Sequence, residues 1–527
     1  MAAKKGYTAQ DHIAAYEEYG STRKAAAALG VDHRTIEKSL AATGYKKQKL
    51  AGDIGGLKTI KMPAPKGEEV LRYIVTAAQN DTKVNASFWE NLKALADYYD
   101  AHIYVCPFTY SPKTSLTAVE EPQWAPELQE YIVSDRVQLA QGLVLCAEVT
   151  RTLPTAARPL SGYETYTGRA SGIFPHAKIA MESIPSMRTE PTKFNYTTGA
   201  VTRHHYSRTK AGFKGEFHHA YGALIVEVTN DGWWVRQLNA DRANRIYDLD
   251  VCAEDGQVFA IERAAAITFG DAHNSDMDPI VREATWGSGG LVDFLRPHEG
   301  HYHDIFDMNS RPWQEENDFH RQFEKHVGNV ESVQGEVKKT VDVFNEWQYR
   351  PWMKHIIVRS NHDEKLEKWL NFGDYKKDLV NAVFFLEAQL AKVKALIGKD
   401  RFLVLEWAMR RCGIPAEVTF LEADESHIVC KARGGDGIEC GGHGHYGPNG
   451  SRGSTRSLAK MARKQNKAHD HTAAIFDGVY SAGTKSVLNP AYAKGPSSWS
   501  HSDIVTYENG KRAIVTMWKG RFFAPRP

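Results

Sequence analysis

The sequence predicts an α/β fold preceded by a small helical unit. Three observations predict it. Strand-like and helix-like patterns alternate from about residue 69 onward, Gly-bearing turns separate them, and short apolar runs repeatedly end in Asp, Asn or His. The last feature delivers polar groups to strand ends, where α/β folds place their sites. The chain has 527 residues, 42% hydrophobic and 25% charged, which is ordinary for a soluble globular protein. That composition excludes a disordered polymer, a collagen-like fibre and a small disulfide scaffold. No run of about 18 uncharged apolar residues predicts a membrane span. The basic start Met1-Ala2-Ala3-Lys4-Lys5 lacks the apolar stretch of a signal peptide. The expected partners therefore exclude a membrane, and the expected compartment is the cytoplasm.

The first element is helical. Residues 10–19 read as one helix, and residues 21–29 as a second with Ser21 as its N-cap. A third runs from the cap Asp32 to about residue 42. Ala26, Gly30 and Ile36 fit a helix-turn-helix. Alanine lets two helices cross closely, glycine supplies a positive-φ turn, and isoleucine plugs the small core. His33, Arg34, Thr35 and Lys38 then point outward, where they can reach bases or phosphates. Residues 1–45 thus read as a DNA-binding unit, with a plain helical hairpin as the alternative, and 46–68 as a basic linker rich in Gly, Lys and Pro, or a solvated basic tail. Residues 1–66 carry 12 Lys+Arg against 6 Asp+Glu, although the whole chain is only +2. The excess positive charge is local, as phosphate-backbone contact requires.

Residues 69–260 read as an α/β domain of unassigned role. A strand over 72–78, an amphipathic helix over 86–99 and a strand over 102–107 make a β-α-β unit. Residues 222–228 and 233–238 form a hairpin through Asn230-Asp231-Gly232. The Gly-, Thr- and aromatic-rich run 158–176 reads either as a structured loop or as a phosphate or nucleotide site. Residues 261–527 hold the chemistry. A strand over 264–269 opens this region. Phe319, Phe323, Val327, Val330, Val337, Val341 and Phe344 recur at helical spacing, which predicts a packed helical stripe. A second long helix covers 376–398, and a closing hairpin turns at Asn509-Gly510.

The six cysteines show no CxxC spacing, so a metal here would be held by His and carboxylate rather than thiolate. Of the 22 histidines, 13 lie between residues 271 and 471. Asp271 and His273 follow the first strand. Asp304 and Asp307 stand in His303-Asp304-Ile305-Phe306-Asp307. Asn361, His362 and Asp363 follow an apolar strand over 355–358. His443 lies in a Gly-rich run, and His469 and His471 bracket Asp470. Such mixed oxygen and nitrogen donors suffice for two divalent metal ions. His445, and less strongly His427, compete with His443, and His301 and His303 are supporting or surface groups. Past His443, the run 447–453 and Arg452 offer donors for a phosphate, or form a plain Gly-rich turn.

This ordered set resembles the calcineurin-like metallophosphoesterase superfamily, whose motifs are D-x-H, GD-x-x-D, GNH(D/E), a lone H and GH-x-H. Three family glycines are replaced here, by His303, Ser360 and Ala468. The resemblance implies a four-layer αββα sandwich over 261–527. It implies that Asp271, His273 and His471 hold one metal, that Asn361, His443 and His469 hold the other, and that Asp304 bridges them. His362 would be the general acid or transition-state donor, oriented by Asp363. The metals would be Mn²⁺, with Zn²⁺, Fe or Mg²⁺ as alternatives, and would generate a hydroxide that attacks phosphorus in line. The layout also resembles large phage-encoded metallophosphoesterases linked to early host-DNA degradation. It thus implies a deoxyribonuclease acting on DNA in the host cytoplasm as a homo-oligomer. The alternatives are a phosphatase or nucleotide phosphodiesterase using its helix-turn-helix for protein contacts, and a non-enzymatic DNA-binding regulator.

Overall fold

The computed structural model describes residues 7–19, 22–43, 59–110, 123–312, 315, 318–431, 436–490 and 493–525. The chain divides into two compact units, residues 1–57 and 58–527. The first contains the helices Ala9–Tyr19, Thr22–Leu29 and His33–Ala42. Ala26 and Ile36 are buried, and Gly30 turns the chain at φ +66°. Asp32 caps the third helix by accepting the Arg34 N–H at 2.8 Å. Each residue sits where the motif needs it. The expected cap Ser21 lies outside the described residues.

The second unit is α/β. Strands Leu71–Gln79 and Ala101–Phe108 pair in parallel across the helix Ala86–Tyr99, which is the expected β-α-β unit. Strands Gly222–Thr229 and Gly232–Asn239 form the expected hairpin and complete a four-stranded sheet. Inside it, Arg236 is wholly buried between Asp248 and Glu227, and Arg72 meets the other Glu227 oxygen at 3.2 Å. Paired charges with further hydrogen bonds make this burial tolerable.

Two large sheets position the site. A six-stranded sheet contains Ala266–Thr268, Glu299–Tyr302 and Lys354–Ile357 as parallel neighbours, with the closing hairpin Ser502–Thr506 and Arg512–Thr516 at one edge. An eleven-stranded sheet takes Arg136–Ala140 through Lys193–Thr197 from before residue 260. It takes Ile428–Val429, Ile438–Glu439, Gln465–Lys467, Ala474–Phe476 and Val479–Ser481 from after it. Residue 260 is therefore not a break in the architecture. Met181 pairs with Ile475 across it. These strands are two to five residues long and pair non-locally, so sequence periodicity does not reveal their partners. Residues 59–61, expected as linker, form an exposed strand beside Arg136–Ala140.

The long helical stripe is a second correction. It is two helices, Phe319–Val327 and Val333–Val343, broken where Gly328 and Asn329 end the first and Ser332 caps the next by accepting the Gly335 N–H. Val337, Val341 and Phe344 are buried, but Phe319, Phe323, Val327 and Val330 are exposed. The helix expected over 376–398 is Ala382–Gly398, preceded by a single turn at Tyr375–Lys377. All six cysteines are free. Among the described residues, no helix is long and apolar enough to cross a membrane.

Candidate metal centre

Five loops converge at the carboxyl ends of strands. Three leave the six-stranded sheet after Ala266–Thr268, Glu299–Tyr302 and Lys354–Ile357. The other two follow Ile438–Glu439 and Gln465–Lys467 of the eleven-stranded sheet. Parallel pairing points the first three loops the same way. Backbone bonds then tie them together. The Ala272 N–H donates to the His303 carbonyl and the His273 N–H to that of Asp304, both at 2.8 Å. Gly270 approaches the backbone of Gly483 and Thr484 so closely that a Cβ would lie 2.8 Å from it.

The ligand-type atoms of Asp271, His273, Asp304 and His471 all lie within 4.8 Å of one another, and all four residues are buried. His273 Nε2 and His471 Nε2 face each other at 3.0 Å, and His471 Nε2 lies 3.0 Å from an Asp271 oxygen. Beside this group, Asn361 Oδ1 receives His443 Nε2 at 2.8 Å and His469 Nδ1 at 2.9 Å. His443 Nε2 lies 3.5 Å from Asp304 Oδ2, so Asp304 stands between the two groups. Seven donors are thus sorted into two sets around a shared carboxylate. Carboxylate, amide oxygen and imidazole are the donor types that divalent first-row ions accept, and the buried His471 Nδ1 and Asp307 Oδ2 have no hydrogen-bond partner. The residues fit a dinuclear metal centre.

Backbone conformation marks the same residues. His273, Asp304, His469 and His471 all have positive φ, between 43° and 78°. Non-glycine residues rarely adopt this region, and such strain collects at functional sites. Ser360, at a replaced glycine, accepts the Asp304 N–H at 3.0 Å and donates to the Val358 carbonyl. His303 stacks on His443 with ring centroids 5.4 Å apart, and Ala468 is wholly buried. All three replacements are therefore accommodated by the surrounding packing.

Charge is concentrated here. Burial pushes the Asp304 carboxyl up, but His443 holds it well below the usual carboxylate range. Asp271 is likewise lowered, against burial, by His443 and then by His471. Burial pushes His273 down, yet Asp307 at 2.5 Å raises it to about 10. Asp307 itself falls to about 2, against burial, because of His273. Protonated imidazoles supply the positive charge that the carboxylates demand, and a metal ion binding the same donors would displace those protons.

His362 stands beside these sets, with its ring 4.9 Å from that of His273. Its Nδ1 lies 3.2 Å from Asp307 and 3.0 Å from Lys365 Nζ. The expected orienting partner is not the observed one. Asp363 turns its carboxyl to the Phe306 N–H at 3.2 Å, and burial, then the charge of Asp304, raises it well above the ordinary value. Asp307 and Lys365, not Asp363, are the side chains in contact with the His362 ring nitrogen. Asp307 stood in the quoted motif without a role, and Lys365, one helical turn beyond His362, carried no sequence signal. His445 does not replace His443, since it faces Glu364 at 3.5 Å, and His427 pairs with Glu299.

The remaining candidates lie elsewhere. Arg34, Thr35 and Lys38 are exposed and His33 is half-buried, with His33 Nδ1 3.6 Å from Asp32. Arg452 is exposed. Two donors at the nearby helix start are already used, because Ser454 and Ser457 cap each other. The run 447–453 is thus a turn before a four-residue capped helix, and the expected phosphate grip there is not supported. In the run 158–176, Tyr163 stacks on Phe174 at 4.6 Å and Lys193 donates to the Glu164 and Gly168 carbonyls. That run is a packed loop leading into the strand Ser171–Phe174 of the eleven-stranded sheet.

The fold and site define an α/β protein with a buried histidine–carboxylate centre. The chain is 34% identical over 471 residues to Protein A1 of Escherichia phage T5, an alignment spanning 86% of this chain and 83% of the relative. It belongs to the Protein A1 family, and that phage relative supports a bacteriophage origin. No known family profile matches the chain, and no solved structure matches it.

Proposed function

We propose that the protein is a metal-dependent deoxyribonuclease of the calcineurin-like metallophosphoesterase type, built as the corresponding αββα sandwich. The observation that carries this reading is the partition of seven buried or partly buried donors into two sets that share Asp304. Asp271, His273 and His471 would hold one divalent ion and Asn361, His443 and His469 the other, with Mn²⁺ the best match to the donors. When bound, the ions supply Lewis acidity and an acidified water at neutral pH. The chain's own contribution centres on His362. With Nδ1–H donating to Asp307, the ring is an imidazolium whose Nε2–H can protonate a phosphodiester oxygen. With Nδ1 accepting from Lys365, it is the neutral tautomer whose Nε2–H can hydrogen-bond that oxygen. The ring is partly exposed.

DNA is favoured as substrate because a helix-turn-helix with a basic outward face accompanies the centre. The decisive experiment is a Mn²⁺-dependent digest of linear, circular and single-stranded DNA by the full chain. His362→Ala is expected to cut roughly 10²–10⁴-fold more slowly, with its metal content unchanged. Turnover of para-nitrophenyl phosphate or a cyclic nucleotide without DNA cleavage would select the phosphatase reading instead. Arg34→Ala with Lys38→Ala should weaken DNA binding and flatten its salt dependence by up to about one unit of slope per lost phosphate contact. Equal salt slopes for wild type and variant would remove the helix-turn-helix from DNA contact.

A further inference from the structure

Away from the candidate centre, a second group of ligand-type atoms converges. Glu299 and His301 alternate on the strand Glu299–Tyr302, so their side chains share one face. His427 immediately precedes the edge strand Ile428–Val429 of the other large sheet. One donor atom from each residue lies within 4.8 Å of the others. Glu299 Oε2 is 2.7 Å from His427 Nε2 and 3.8 Å from His301 Nε2. The two imidazole rings meet edge to face, 5.2 Å apart.

His301 is what an ordinary ion pair does not account for. It is wholly buried, and no well-formed hydrogen bond reaches either ring nitrogen, the Ile267 backbone making only a weak contact. An unpartnered buried polar group costs about 1–3 kcal/mol, and His301 Nε2 is aimed at the Glu299 oxygen that also holds His427. Burial, then His427, pushes His301 down to about 3; Glu299 and, least of all, the Ile267 backbone act the other way. The imidazole is therefore neutral, the form in which histidine binds metals. Lys354 lies 3.7 Å from the other Glu299 oxygen and leaves Oε2 facing the histidines. Cys430 is turned away, its thiol donating to the Tyr507 carbonyl.

We propose that Glu299, His301 and His427 form a structural metal site, separate from the dinuclear centre, that takes one zinc-type divalent ion and staples the two large sheets together. Two imidazoles and a carboxylate are a zinc ligand set, with a water as the fourth ligand. Glu299 and His427 are partly exposed, which gives that water access. Metal–donor bonds of about 2.0–2.2 Å require only sub-ångström to ångström shifts of these side chains. The ion would give His301 Nε2 its missing partner. The Cys440 N–H already donates to the His427 carbonyl at 2.8 Å, and the Glu439 carboxylate accepts the His427 N–H. The loop that presents His427 is therefore fixed.

The test uses the full chain, loaded with Zn²⁺ and freed of loose metal by gel filtration. Metal per chain is measured by elemental analysis for wild type, Glu299→Gln and His427→Gln. Both variants change partly exposed positions and keep a polar side chain. Each is expected to retain one equivalent fewer than wild type, and to lose the Zn²⁺-dependent rise in melting temperature. Co²⁺-loaded wild type minus variant should show the intense visible bands of four-coordinate cobalt. An Asp271→Asn variant should keep this equivalent, so failure of the dinuclear reading leaves the result distinguishable. Equal metal content in wild type and both variants would overturn the proposal and leave Glu299–His427 as a plain hydrogen-bonded pair.

Discussion

His273 and Asp307 form the tightest charged contact of the candidate centre, and their titration predicts how the metal-free protein responds to pH. His273 is raised from an ordinary 6.5 to about 10, so its stabilising protonation is fully present below pH 6.5. That contribution is lost as pH rises through about 10. Asp307 is depressed from 3.8 to about 2, so its contribution is present above pH 3.8 and is lost as pH falls through about 2. Metal-free protein should therefore melt at progressively lower temperature between pH 6.5 and 10. His273→Ala should flatten that decline, and saturating Mn²⁺ should reverse it, because the ion replaces the proton. A calorimetric series across this range, with and without metal, checks the expectation. An unchanged slope in His273→Ala would assign the decline to another group. The grouping of these side chains was legible in the sequence, since Asp271, His273, Asp304, Asn361, His443, His469 and His471 lie together. Their left-handed backbone was not, because Asp and His carry no glycine signature. The exchange of Asp363 for Asp307 and Lys365 beside His362 was also hidden, because it depends on contacts between a loop and the first turn of a following helix.

Strand ends deliver the ligands, so the elements behind them decide how firmly they are held. Gly270, next to Asp271, donates its N–H to Asp503 at 3.0 Å, and Asp503 pairs with Lys485 at 2.5 Å. Both side chains are wholly buried, and the Lys485 N–H donates to the Asp271 carbonyl at 2.8 Å. One ion pair thus clamps both sides of the first ligand loop. Removing one partner strands a buried charge, which costs about 3–5 kcal/mol. Asp503→Ala is expected to lose that much stability in denaturant unfolding. The double variant Asp503→Leu with Lys485→Met should recover much of it, because no unpaired charge remains. If the single and double variants unfold alike, the cost is lost packing rather than a stranded ion. The strand–turn–strand elements that carry this clamp follow local rules, and the closing hairpin at Asn509-Gly510 was readable for that reason. The helix ending at Gly328 was not, because its apolar spacing runs on past the break that Gly328, Asn329 and the Ser332 cap make.

At the scale of the whole molecule, the buried core and the exposed apolar surface make different demands. The helix Ala382–Gly398 buries Phe384, Phe385 and Ala388 against the rest of the chain. Its other face exposes Val383, Leu386, Leu390, Val393 and Ile397, at alternating spacings of three and four residues. That is the a/d pattern by which one helix packs against another in a coiled coil. Leu379 continues the row, and the exposed Phe319, Phe323 and Val327 lie on a separate amphipathic helix. Monomers rarely expose apolar patches larger than a few hundred Å², and a heptad row is self-complementary across a two-fold axis. We propose that a second copy of this chain covers the row, as the homo-oligomer implied by the resemblance would require. The prediction is that the wild-type protein sediments as an oligomer at micromolar concentration. Leu390→Glu with Ile397→Glu should shift it to a smaller species while leaving its unfolding within about 0.5 kcal/mol per chain at matched oligomeric state, as expected for exposed positions. Because the row lies on the face opposite Phe384 and Phe385, folding of the chain does not require it. A wild-type protein that sediments as a monomer, or an assembly unchanged by both glutamates, would assign the row to a different partner.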